Sequence, residues 1–163
     1  MKKLIQGIME FRQTRRPLVR DTFARLALRQ FPDCLFIACS DSRVAANVFA
    51  STDPGDLFVV RNVGNIMPPL PNNGSAVAAL EFAIHSLKVR HIVICGHSDC
   101  GAMRALAQKA DENRDTPLGL WLRHAKAAAK DGVHDLDALS KKNVTLQLEN
   151  LRTHPVVKEK EAA

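Results

Sequence analysis

Apolar residues recur at helical spacing over the first thirty positions: Leu4, Ile5, Ile8, Met9 and Phe11, then, beyond Pro17, Val19, Phe23, Leu26 and Ala27. The pattern predicts two amphipathic N-terminal helices. It then changes to short, nearly continuous apolar runs, CLFIAC (34–39), DLFVVRN (56–62) and HIVICGH (91–97), rich in β-branched or aromatic residues. Runs of that length and composition suit strands buried on both faces. Between the second and third lies the alanine-rich SAVAALEFAIHSLK (75–88), which reads as a crossover helix. Strand, helix, strand in that order implies parallel pairing.

Beyond the third strand, GAMRALAQKAD, then PLGLWLRHAKAAAKDG with Pro117 near its start and Gly132 near its end, then DLDALSKKNVTLQLENLRTHP, predict three helices. A short charged tail, VVKEKEAA, follows. The expected fold class is α/β: one domain over 1–163 with a mainly parallel central sheet flanked by helices, residues 1–30 forming a basic helical arm. The segment NVGNIMPPLPNNG (62–74) is dense in Gly, Pro and Asn and follows a strand directly, so it is a loop. Open α/β sheets bind ligands outside the carboxyl ends of their strands, and Cys39, Arg61 and His97 each fall at or near such an end.

Composition bounds the function classes. With 163 residues, 46% apolar and 25% charged, the chain fits a single soluble domain. No apolar run approaches the roughly 20 residues of a membrane helix, and MKKLIQGIMEFRQTRR lacks the apolar core of a secretory signal, so a cytoplasmic location without membrane contact is expected. Residues 1–30 hold eight Lys or Arg against Glu10 and Asp21, while the remaining 15 basic and 15 acidic residues cancel. Aromatics are 5% of the chain and no recognition motif accompanies the charge. A solvated helix face or a subunit contact explains it better than nucleic acid does.

Two polar clusters carry the chemistry. Cys39, Asp41 and Arg43 lie in CSDSR, and 54 residues past that run His97 and Cys100 lie in HSDC. Two thiols and an imidazole supply three of the four tetrahedral ligands zinc prefers, and a carboxylate or a water supplies the fourth. Asp41 is close enough in sequence to reach the metal, and Arg43 close enough to hold it away. The competing reading is a set of buried thiols with a core histidine, which leaves Asp41 and Arg43 unexplained. Alternation along the strand points Cys34 away from Cys39, and Cys95 suits a small core position, so both are excluded as ligands. His85, His91, His124, His134 and His154 lack partners at ligand spacing and read as surface or packing residues. Thiol phosphatase chemistry is disfavoured, because only three residues separate Cys39 from Arg43 and Asp41 would repel a phosphate.

The runs ACSDSRV, FVVRNVGN, LEFA and CGHSDCGAM, in this order and spacing over roughly residues 1–157, resemble the β-class carbonic anhydrases. The resemblance implies reversible hydration of carbon dioxide to bicarbonate and a proton, with one zinc per chain on Cys39, His97 and Cys100. It implies that Asp41 either ligates the metal or pairs with Arg43. It matches Gln30 to a glutamine that hydrogen-bonds substrate, Phe58, Val63 and Phe82 to the apolar lining of the substrate pocket, and Gly101 to a residue beside the metal-bound ligand. It also implies a homodimer or higher homo-oligomer, with Gln30, Phe58 and Phe82 reaching a partner's site. Two thiolates cancel the metal's charge, so activity is expected to rise toward alkaline pH. A bidentate guanidinium grip on Asp41 makes Arg43→Lys a non-conservative change.

Departures from the pattern are equally definite. The family's Gly-Trp-rich final strand has no counterpart before KEKEAA, Phe82 stands where Tyr is commoner, and Phe36 stands where the bicarbonate-inhibited subtype carries Trp. The directly active subtype is therefore expected. Two alternatives are hydrolysis of a similar molecule, carbonyl sulfide or carbon disulfide, at the same zinc site, and a non-catalytic relative stabilised by zinc. A carboxysomal home is conceivable, though no residue encodes it.

Overall fold

The computed structural model describes residues 1–108, 115–130 and 135–161. The chain opens with α1 (Lys2–Glu10), prolonged by a wider turn over Phe11–Arg15, and α2 (Arg20–Leu28). Then come β1 (Cys34–Cys39), the short α3 (Ala46–Phe49), β2 (Leu57–Asn62), α4 (Ser75–Phe82), which continues through Ala83–Leu87, and β3 (His91–Cys95). The rest is helical: α5 (Gly101–Ala107), α6 (Pro117–Leu122) running into a tighter turn over Arg123–Ala129, α7 (Leu136–Leu151) and α8 (Pro155–Glu161). The predicted end of the first of these helices (109–111), Gly132 and His134 lie outside the described residues.

β1 lies between β2 and β3 and pairs in parallel with both, Cys34 opposite Leu57 and His91, Cys39 opposite Asn62, and Ala38 opposite Cys95. All six residues of β1 are buried. Leu35 and Ile37 face α4, α7 and α8 in a cluster with Leu80, Ala83, Ile84 and Leu151. Each of these two side chains contributes roughly 1.5–3 kcal/mol by leaving water. Cys39, on the same side, joins a second cluster with Ile66, Cys100, Met103, Leu122 and Leu139. Cys34, Phe36 and Ala38 point the other way, toward Val44 and Ala46, and Cys95 packs against them. Cys34 thus points away from Cys39, as alternation predicts, and Cys95 packs as a small, partly buried apolar residue.

Burial on both faces holds for β1 alone. Val59 and Val93, which flank Phe36 in register, are each 37% exposed. The cause is uneven cover: three helices pack one side of the sheet, while the short α3 and the segment before it pack the other. The N-terminal arm is likewise open, with no buried residue in α1 or α2. Its apolar stripe, Leu4, Ile5, Ile8, Met9 and Phe11, is exposed. Contact with the body is made through Leu26, whose methyls occupy the space a Cβ on Gly55 would need.

The charged tail is also different from expectation. Residues 155–161 form α8, and Val156 and Val157 pack into the Leu35 cluster while the charged positions face outward. Pro155 at the first helical position and the hydrogen bond from Val157 N–H to the His154 carbonyl, 3.1 Å, start the helix. Two valines followed by four charges make a pattern too short to separate from a solvated tail by itself.

Candidate metal centre

Parallel pairing of β1 with β3 carries Cys39 to the same edge of the sheet as the turn after β3, and that turn delivers His97 and Cys100. One ligand atom from each of Cys39, His97 and Cys100 lies within 4.8 Å of the others. His97 Nε2 is buried and has no hydrogen-bond partner among the described residues. An imidazole nitrogen left bare in the interior is costly unless something coordinates it. Two thiols and one imidazole at this spacing fit a zinc ion, whose preferred donors they are.

Both sulfurs are held by backbone. Cys39 Sγ accepts from the N–H of Asp41 and of Gly64, each at 3.4 Å. Its thiol is pushed down, first by the hydrogen bond from Cys100 and then by these amides, while the Cys100 thiol is pushed up by sharing its proton with Cys39 and by burial. Gly64 is required where it stands. Its φ of 82° is in the left-handed region, and a Cβ would come within 3.0 Å of Ala102 Cβ at the start of α5.

Asp41 is not part of the three-residue cluster. Arg43 grips its carboxylate with both forks, Nε donating to Oδ1 at 2.9 Å and Nη2 to Oδ2 at 2.8 Å, and the Arg43 backbone N–H adds a third bond to Oδ1 at 2.9 Å. These contacts hold the Asp41 carboxyl well below the usual carboxylate range. Of the two partners posed by CSDSR, this structure has Asp41 on Arg43. Arg43 in turn donates to Asp99, at Oδ2 (3.2 Å) and at the carbonyl (3.0 Å), and Arg104 donates to Asp99 Oδ1. Arg61, at the end of β2, donates to the carbonyls of Cys39 (3.2 Å) and Asp41 (2.6 Å).

The residues matched to the substrate pocket divide into two groups. Val63 and Gly101 adjoin the metal cluster, Val63 next to Gly64 and Gly101 next to Cys100, and a Cβ on Gly101 would meet open space. Phe58 and Phe82 pack against each other at a tilt with ring centroids 5.8 Å apart, yet Phe58 pairs in register with Leu35, four residues before Cys39. At about 3.3 Å per residue that is roughly 13 Å along the strand. Gln30 is exposed between α2 and β1. Of the remaining histidines, His85 and His91 are exposed, His124 is half-buried, and His154 is buried with Nε2 2.8 Å from the Pro68 carbonyl. Asp99 and Arg104 were not singled out from the sequence, although the Asp inside HSDC was visible as a charge between two ligands.

A family model described as carbonic anhydrase matches residues 34–163. Among solved structures, the β-carbonic anhydrase CcaA superposes with a TM-score of 0.91 at 37% identity, covering 98% of this chain and 76% of that one. The chain belongs to the β-carbonic anhydrase family. The carbonic anhydrase of Pseudomonas aeruginosa is 46% identical over 96% of this chain and 76% of its own length. That of Synechococcus elongatus is 41% identical over 97% of this chain, which spans 62% of that relative. The tetrameric β-carbonic anhydrases of Sordaria macrospora superpose with a TM-score of 0.85 at 29% identity, over 99% of this chain and 85% of theirs. The family match continues past residue 157, where the motif resemblance ends, and so includes α8.

Proposed function

We propose that this β-carbonic anhydrase hydrates carbon dioxide reversibly, giving bicarbonate and a proton, at one zinc ion held by Cys39, His97 and Cys100. The observation that carries the reading is the bare His97 Nε2 grouped with two thiols, beside an aspartate already gripped by arginine. When bound, zinc supplies the acidification of water that makes a nucleophile available near neutral pH. The chain's residues supply orientation. Asp41, kept ionised by Arg43, accepts a hydrogen bond from the nucleophile and leaves a lone pair facing the carbon of the substrate. Arg43 stays ordered because Asp99 and Arg104 hold its far side. Val63 and Gly101 leave an apolar, uncrowded approach to the same point.

The working unit is a homodimer or a larger homo-oligomer. An arm with no buried residue and an exposed apolar stripe needs a partner surface, and Phe58, Phe82 and Gln30 are too far along the fold to serve the Cys39 site of their own chain. A second copy brings them to it. A cytoplasmic location belongs to the same reading; among the described residues no helix is long and apolar enough to cross a membrane.

Hydrolysis of carbon disulfide has no specific observation in its favour. The carbon disulfide hydrolase structure superposes with a TM-score of 0.55 at 18% identity, a likeness of fold alone. The deciding experiment is stopped-flow hydration of carbon dioxide by metal-quantified protein. One zinc per chain with turnover that rises from pH 6 to 9 is expected; one zinc without turnover leaves a structural metal site.

A further inference from the structure

The Val63–Gly64 peptide is held at both ends. Its N–H, on Gly64, donates to Cys39 Sγ at 3.4 Å, and its carbonyl, on Val63, accepts from Trp121 Nε1 at 2.8 Å. Because the peptide unit is planar, fixing the carbonyl direction fixes the direction of the N–H. An amide whose oxygen accepts a hydrogen bond is also polarised into a better donor. Trp121 therefore acts on the sulfur through one rigid group.

The next peptide is fixed from the same side. The Gly64 carbonyl accepts from Asn143 Nδ2 at 3.0 Å, and Asn143 Oδ1 is itself held by Gln147 Nε2 at 2.9 Å. Gln147 Oε1 accepts the Met67 N–H at 2.9 Å and Asn150 Nδ2 at 3.1 Å. Residues 143, 147 and 150 share one face of α7, and Asn143 and Gln147 are 1% and 0% exposed. A fully paired buried amide ladder costs nothing in unmatched charge and allows one geometry, whereas aliphatic residues there would strand the Gly64 carbonyl and the Met67 N–H.

We propose that Trp121 and Asn143 are positioning residues of the metal centre, aiming the Gly64 N–H at the Cys39 thiolate and so slowing loss of the ion. The inference rests on Cys39 being a zinc ligand, as argued above. Partners that orient metal ligands commonly change affinity 10- to 100-fold when removed. Trp121→Phe keeps an aromatic ring and deletes the donor; Asn143→Leu removes the grip on Gly64.

The test measures zinc release to a chromophoric chelator and, in cobalt-substituted protein, the sulfur-to-metal charge-transfer band. Both variants are expected to release zinc about tenfold faster. Weakening the Gly64 N–H bond to Cys39 raises the energy of the sulfur lone pairs, so the band moves to longer wavelength. Leu80→Ala, a truncation in the Leu35 cluster, weakens the fold while leaving the hydrogen bonds of Trp121 and Asn143 to the Val63 and Gly64 carbonyls in place, and its release rate and band are expected to match wild type. Wild-type release and band in folded Trp121→Phe, or an equal acceleration in Leu80→Ala, overturns the proposal; if Asn143→Leu does not fold, Trp121→Phe decides alone. Zinc-loaded wild type that fails to hydrate carbon dioxide sinks the catalytic reading instead and leaves this comparison intact.

Discussion

Two sides of the metal centre are held by opposite kinds of bond. On the outer side, Asp41, Arg43, Asp99 and Arg104 form a run of formal charges, with the Arg43 and Asp99 side chains 58% and 51% exposed. On the inner side, the loop at Gly64 is fastened by neutral amides that water barely reaches. Exposed ion pairs gain little net energy and are screened by salt, whereas buried amides have no alternative partner once the chain has folded. On the proposed function, the group that responds to substrate is therefore held by bonds that exchange easily with water, and the sulfur proposed to hold the metal by bonds that do not.

Breaking the outer side at its centre has the largest expected effect. Asp41→Asn keeps the shape and removes the charge, and turnover is expected to fall about a hundredfold or more while zinc content stays at one per chain. Near-normal hydration in the stopped-flow apparatus would leave Asp41 and Arg43 as a structural pair. Breaking the inner side registers in stability. Gln147→Leu strands the Met67 N–H and two amide neighbours, so the urea midpoint is expected to drop by an amount corresponding to about 1–3 kcal/mol for a buried group left unpaired. An unchanged midpoint removes the ladder from the account.

The smallest effect lies in acid. Arg43 holds Asp41 and Asp99 below the usual carboxylate range, Arg104 adding to the effect on Asp99. A carboxylate with a lowered folded pKa stabilises the native state above its unfolded value, about 4, and loses that contribution as the pH falls through the lowered one. Circular dichroism through acid titration is expected to show wild type losing stability below about pH 4 more steeply than Asp99→Asn, with the two parallel from pH 6 to 9. Parallel curves throughout would mean that the outer charges contribute nothing to the fold.

Much of this arrangement was legible in the sequence, for identifiable reasons. Continuous apolar runs have few readings other than buried strands, so β1, β2 and β3 were visible within a residue or two, and the thiols and imidazole announced themselves by type and spacing. The one-sided burial of β2 and β3 was not visible, because Val59 and Val93 look like core residues until the cover on each face is known. The α7 ladder was hidden for the opposite reason. Asn143, Gln147 and Asn150 stand among Lys141, Lys142 and Glu149 and share their polarity, so the stretch reads as a solvated face. What separates the two sets is charge: the buried residues are neutral amides at positions i, i+4 and i+7, and the ionised ones lie off that line.

The contact between Arg43 and Asp99 joins residues 56 positions apart in the chain. Together with the parallel ladder of β1 and β3, it ties the two ligand clusters to each other through bonds within the chain. The ladder and the Arg43–Asp99 contact thus carry a share of the entropic cost of that closure, which grows only slowly with loop length. Part of that closure is therefore independent of any ion, unlike in small domains in which a metal must gather all of its own ligands.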